Sequence, residues 1–159
     1  MSSLTIPGSV HTVLAAAGIV LGLIQFLARK HGSLHRAVGY AFVYAMMIGD
    51  CAALLVVQFT GAFNILHVGA LINLVCITGG LWPVLRSPRR PDWREKHYLW
   101  ISLSYLGLMA AAATELVVRT IPFRSTGQSW LVTLAVTLAV TLVGRALILR
   151  HRPAARDPV

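Results

Sequence analysis

The sequence predicts an all-α, polytopic membrane protein with five transmembrane helices, the first four arranged as an up-down bundle. Three observations predict it. Of 159 residues, 57% are hydrophobic and only 12% are charged. The apolar residues gather in runs of about 20 rather than in amphipathic periods, the length a helix needs to cross ~30 Å of hydrocarbon. The basic residues behind the net charge of +9 cluster in alternate connections between those runs.

The first run, 8–28, follows "MSSLTIPGSV", which has no basic n-region, and is closed by "ARK". It is expected to stay as an uncleaved first helix. The second and third runs, 38–59 and 63–85, are joined by the short "TGAFN". The fourth, 97–121, follows the loop "RSPRRPDWREK" (86–96), whose prolines and mixed charge disfavour continued helix. The fifth, 129–149, carries a VTLA repeat and no ionisable residue before Arg145. It is expected to pack or face lipid, with its threonines bonding their own backbone carbonyls. Residues 1–150 are read as one transmembrane domain and 151–159 as a disordered cytoplasmic tail.

Charge sets the orientation. Arg29, Lys30 and Arg36 lie between runs one and two, Arg86, Arg89, Arg90, Arg94 and Lys96 between three and four, and Arg150, Arg152 and Arg156 after five. The opposite connections offer Arg124, with Arg119 just inside the fourth helix. The positive-inside rule then places the N-terminus outside and the C-terminus inside a bacterial cytoplasmic membrane. The basic excess reads as topogenic charge with some attraction to anionic lipid, not as a nucleic-acid surface. Trp82, Trp93, Tyr98 and Trp100 fall near the inner interface, where amphipathic aromatics anchor a bundle. Cys51 and Cys76 are expected as buried thiols, since they fall in opposite halves of their helices. No GxGxxG, Walker, HExxH or CxxC pattern is present, so nucleotide binding, zinc proteolysis and thioredoxin chemistry have no support.

The chemistry belongs to ionisable residues inside the first four helices. His97 and Glu115 are 18 residues apart, about five full turns, and Arg119 is rotated only about 40° further. All three share a seam expected to face the bundle. Glu115 and Arg119 also form an i,i+4 pair in the favoured order. Counted from the outer ends, His11 and His67 lie roughly 5 Å deep and Asp50 and Glu115 roughly 10 Å deep. One group from each of four helices thus sits near one level, and such groups pair, line a cavity or bind something. At the inner surface His35 and His97 begin helices two and four, with His31 in the connecting turn. In an up-down bundle His11 and His67, and His35 and His97, fall across the two diagonals, an axial-ligand arrangement for b-type haem. Gly18, Gly39 and Gly69 are candidates for close approach of a porphyrin face. The His11, His67, Asp50 and Glu115 set suits a zinc or copper ion instead.

The segments "GSLHRAVGYAFVYAMM" (32–47), "FNILHVGAL" (63–71) and "KHYLWISLSYLGLMAAAATELVVR" (96–119) resemble the small prokaryotic membrane proteins of the DUF2306 type. On the HR–x₂–G–Y and H–x₃–W–x₃–SY segments the resemblance singles out His35, Arg36, Gly39, Tyr40, His97, Trp100, Ser104 and Tyr105. It implies the fold and the choice of residues but no reaction. The layout is also similar to cytochrome b561-like four-helix bundles, an analogy of arrangement.

The leading expectation is a haem b and quinone-linked electron carrier. His11/His67 and His35/His97 are its ligand pairs, Glu115, Asp50 and Arg119 hold propionates or move protons, and Arg36 and Tyr105 belong to the cofactor surroundings. Tyr40, Tyr44 and Tyr105 are candidates to hydrogen-bond a quinone or a histidine. A second expectation is a metal- or proton-coupled transporter or intramembrane metalloprotein using His11, His67, Glu115 and Asp50. A third is a non-catalytic membrane assembly subunit.

Overall fold

The computed structural model describes residues 5–28, 32–57, 62–63, 65–123 and 125–152. Arg29, Lys30, His31, Arg124 and the predicted tail beyond residue 152 lie outside the described residues. The chain is all-helical, with α1 at Ile6–Leu27, α2 at Ser33–Ala53, α3 at Ile65–Leu85, α4 at Trp93–Thr120 and α5 at Thr126–Arg150. No strand occurs among the described residues.

Local chemistry explains the helix starts. Thr5 Oγ1 accepts from Gly8 N at 3.4 Å, with Pro7 in the first turn of α1, and Ser125 Oγ accepts from Gln128 N at 3.2 Å to begin α5. α2 begins after Gly32, whose φ of 98° suits glycine alone.

Two helices depart from the hydropathy runs. α2 starts at Ser33 rather than 38 and ends at Ala53, where Leu55 N bonds Ala52 O and Val56 N bonds Ala53 O in tight turns. Hydropathy marks contact with lipid, whereas helix continues through polar residues such as half-buried His35 and exposed Arg36. α4 starts at Trp93, and its 28 residues span about 42 Å, more than the hydrocarbon needs. Its polar first turn therefore extends past the apolar segment.

Among the described residues four helices, α1, α3, α4 and α5, are long and apolar enough to cross a membrane. α2 is long enough but diluted by Arg36, Tyr40, Tyr44 and Asp50 and is not among them.

The chain divides into two compact units inside α3, between Thr78 and Gly79. In the first, α1 lies antiparallel on α2, with His11 meeting Gly49 at one end and Gln25 meeting His35 at the other. Buried Gly18 and Gly22 thin α1 on its inner side, and α2 contributes a stripe of Phe42, Val43, Ala45, Met46, Gly49 and Asp50 at helical spacing. A Cβ at Gly49 would stand 3.3 Å from Leu14 Cβ, so glycine sets that approach.

In the second unit α4 and α5 are antiparallel. Glu95 pairs with Arg152, Tyr98 Oη donates to Ile148 O at 3.1 Å, Leu106 packs on Gly144, and Thr114 and Thr137 share a hydroxyl hydrogen bond of 3.1 Å. Thr137 thus bonds across to α4, whereas the repeat suggested bonding to its own backbone. The end of α3 packs on α4 through two glycines. A Cβ at Gly79 would fall 2.9 Å from the Trp100 ring, and one at Gly80 would fall 2.6 Å from Ile101 Cδ1 and 3.3 Å from Ile101 N. Cys76 is a buried free thiol, while Cys51 is exposed, contrary to expectation.

These glycine contacts yield a matched test. Gly80→Ala forces Ile101 to shift and should lower stability by about 1–3 kcal/mol. Gly107→Ala, where a Cβ meets nothing within 4 Å, should be neutral or stabilise by up to about 1 kcal/mol. Denaturant titration of both variants in the same micelles reads the difference.

Candidate functional site

The polar centre of the first unit is a hydrogen-bonded pair. Asp50, only 5% exposed, accepts at Oδ2 from Asn73 Nδ2 at 2.7 Å, and Asn73 is itself buried. A carboxylate among apolar helices demands a donor, and Asn73 supplies one. His11 on α1 lies near Asp50, its ring held on the carbonyl of the adjacent Gly49.

His11 Nδ1 lies 3.0 Å from Gly49 O. A carbonyl oxygen only accepts, so the hydrogen must sit on Nδ1. In the neutral ring Nε2 then carries the lone pair. His97 repeats the arrangement in the second unit, with Nδ1 2.8 Å from Gly80 O. Both bonds reach a different helix, 38 and 17 residues away in sequence, and both use a carbonyl on a glycine, where no side chain blocks approach. His151 makes a similar bond of 2.9 Å to Leu147 O, but there the partner is one turn back at an exposed helix end. That bond is a local cap.

The remaining predicted residues separate. His67 is 3% exposed and stacks on Phe63 with ring centroids 5.0 Å apart. His35 is half-buried in the first turn of α2, where its backbone carbonyl accepts from Gln25 Nε2 at 2.7 Å, and Arg36 beside it is exposed. Tyr40 is exposed and stacks on Tyr44 at 6.4 Å. Gly39 makes room for Gln25, whose Nε2 would stand 2.8 Å from an added Cβ, while Gly69 has open space. The close approach at Gly39 therefore serves helix packing. Trp100 covers Gly79, Ser104 is wholly buried, and Tyr105 is half-buried.

Glu115 and Arg119 form their i,i+4 ion pair, with side chains 54% and 62% exposed. The outer end of the predicted seam is therefore at the surface rather than within the bundle. Asp50 also differs from expectation. Because α2 ends at Ala53, it lies about 4.5 Å of rise from the helix end, instead of deep in a longer helix. Among the described residues no group of three or more His, Cys, Asp or Glu is arranged to hold a metal ion.

Sequence reasoning missed Asn73 and Gln25. The signal was present, since Asn73 is the lone carboxamide of α3 and Gln25 that of α1. Weighing only ionisable groups passed over the neutral amides that satisfy them.

A family model described as "Predicted membrane protein (DUF2306)" matches residues 8–150. The chain belongs to the DUF2306 family. The match runs from the first turn of α1 to the end of α5, so this DUF2306 chain is a multi-pass membrane protein along nearly its whole length. No curated protein and no solved structure matches it. The family description assigns no reaction, and the residues themselves must carry the functional argument.

The buried pair makes a direct prediction. Asn73→Leu strands the Asp50 carboxylate and should destabilise the protein by about 1.5–3 kcal/mol. With Asp50→Leu in addition, the loss should fall below about 1 kcal/mol, because both polar partners are then gone. A double-mutant cycle from unfolding in detergent measures both.

Proposed function

We propose that this DUF2306 chain is a membrane-embedded carrier of b-type haem that exchanges electrons with a quinone or a redox partner protein. The observation that carries the reading is the matched hydrogen bonding of His11 and His97. Histidine ligands characteristically donate one ring N–H to a carbonyl or carboxylate, which fixes the tautomer and ring orientation and leaves the other nitrogen to bind iron. Each of these histidines has its Nε2 prepared in that way. When bound, haem with two imidazole ligands supplies a one-electron iron couple without a position for oxygen. His11 and His67 are the proposed ligands in the first unit, where Asp50 lies near His11. His97 is the proposed ligand of the second unit, and His35 remains a candidate of the first. Exposed Arg36 suits a propionate, and Tyr105 suits a quinone oxygen.

The reading includes α2 as a fifth span, with the N-terminus outside and the C-terminus inside a bacterial cytoplasmic membrane, supported by the sided distribution of arginine and lysine. The buried Asp50–Asn73 pair beside His11 favours a second reading, a proton- or metal-coupled transporter in which Asp50 carries the proton or ligates a zinc or copper ion. The test is a reduced-minus-oxidised spectrum of the full chain, expressed with ample haem supply and purified in mild detergent, with metal analysis of the same sample. The expected result is a Soret band with sharp α-bands, lost or shifted in His11→Ala and His97→Ala. A colourless protein contradicts the haem reading, and stoichiometric zinc or copper then favours the second.

A further inference from the structure

Between the end of α3 and the start of α4 the chain forms a partly open cavity of about 80 Å³ lined by Trp82, Pro83, Arg86, Arg90, Asp92, Trp93 and Lys96. We propose that this cavity binds the phosphate of an anionic phospholipid head group. Four observations converge on that ligand.

The first is position. Both α3 and α4 are apolar enough to cross a membrane, and the cavity forms where one ends at Leu85 and the other begins at Trp93. It therefore lies at head-group level whichever way the chain is oriented. Exposed Trp82 and half-buried Trp93 supply the amphipathic aromatic surface that favours this level.

The second is charge. Three cations face one carboxylate. Asp92 is bonded to Lys96 at 2.8 Å, while the side chains of Arg86 and Arg90 have no ion pair or hydrogen bond among the described residues. Two guanidinium groups are thus available to fork onto phosphate oxygens. The neighbouring arginines are otherwise engaged, with Arg89 over the Trp93 ring at 4.8 Å and Arg94 at 5.3 Å. They brace the indole that forms one wall.

The third is the start of α4. Asp92 at its N-cap makes no side-chain capping bond, because its carboxylate turns to Lys96. The N-terminus of this 28-residue helix opens beside the cavity with its two acidic groups, Asp92 and Glu95, paired to Lys96 and Arg152, so the helix dipole is not opposed there by an unpaired carboxylate.

The fourth is size. A buried water needs roughly 10–15 Å³ of such volume, so the cavity holds a group of several waters' bulk. That is room for a phosphate group, and the rest of a lipid lies along the apolar helix surfaces outside.

The experiment is native mass spectrometry of the full chain, released from detergent after titration with phosphatidylglycerol, phosphatidylcholine or inorganic phosphate. Phosphatidylglycerol should bind more tightly than phosphatidylcholine, and Arg86→Gln with Arg90→Gln should weaken it about tenfold. The single changes should each give part of that loss. Arg145→Gln with Arg150→Gln removes the same charge from the end of α5 beside the start of α4 but away from the cavity lining, and should change binding by less than about twofold. Equal losses from the two pairs, or no preference for phosphatidylglycerol, would reduce the site to diffuse attraction and overturn the proposal. Displacement of phosphatidylglycerol by millimolar inorganic phosphate would overturn the lipid assignment in favour of a soluble phosphate.

Discussion

A polar group in an apolar helix has no water to bond, so each one must find its partner within the protein. In this chain that constraint is met mainly by helix carbonyls and neutral amides. Gly49 O and Gly80 O already belong to helical ladders, yet each has a second lone pair and no side chain to shield it. His11 and His97 use those lone pairs. Asn73 uses its amide to hold Asp50, and Gln25 bonds the carbonyl of His35. Helix packing and the orientation of ionisable groups are consequently one problem. The small residues that let helices approach also expose the carbonyls that fix the imidazole rings.

The two units solve it with the same device and different supports. In the first, the buried stripe of α2 and the glycines of α1 bring His11 against Gly49. In the second, Trp100 and Ile101 close over Gly79 and Gly80 as His97 reaches Gly80. Tyr98, Thr114 and the Glu95–Arg152 ion pair then tie α4 to α5 along its length. Charges at the helix ends behave as surface groups. Glu115 and Arg119 neutralise one another in the open, and the basic loop between α3 and α4 frames a cavity at the lipid boundary.

Much of this was legible in the sequence because membrane crossing imposes length and apolarity on contiguous residues. The α1, α3 and α5 runs lie within a few residues of the helices found. α2 was legible only as a helix, since its lipid-facing run and its hydrogen-bonded span begin and end at different residues. His11 and His97 were legible as polar exceptions in apolar helices, but the identity of their carbonyl partners depends on packing between helices. Asn73 was visible as a lone amide and needed the same packing to acquire meaning.

The central claim is that His11 and His97 are held as Nδ1–H tautomers with Nε2 prepared as a ligand. It is tested most directly by ¹⁵N NMR of ring-labelled histidine in the haem-free, metal-free protein at neutral pH, assigned with His11→Gln and His97→Gln. The account predicts that both rings carry the proton on Nδ1 alone, with an unprotonated Nε2. Signals from Nε2–H tautomers or from imidazolium rings at these two positions would contradict it.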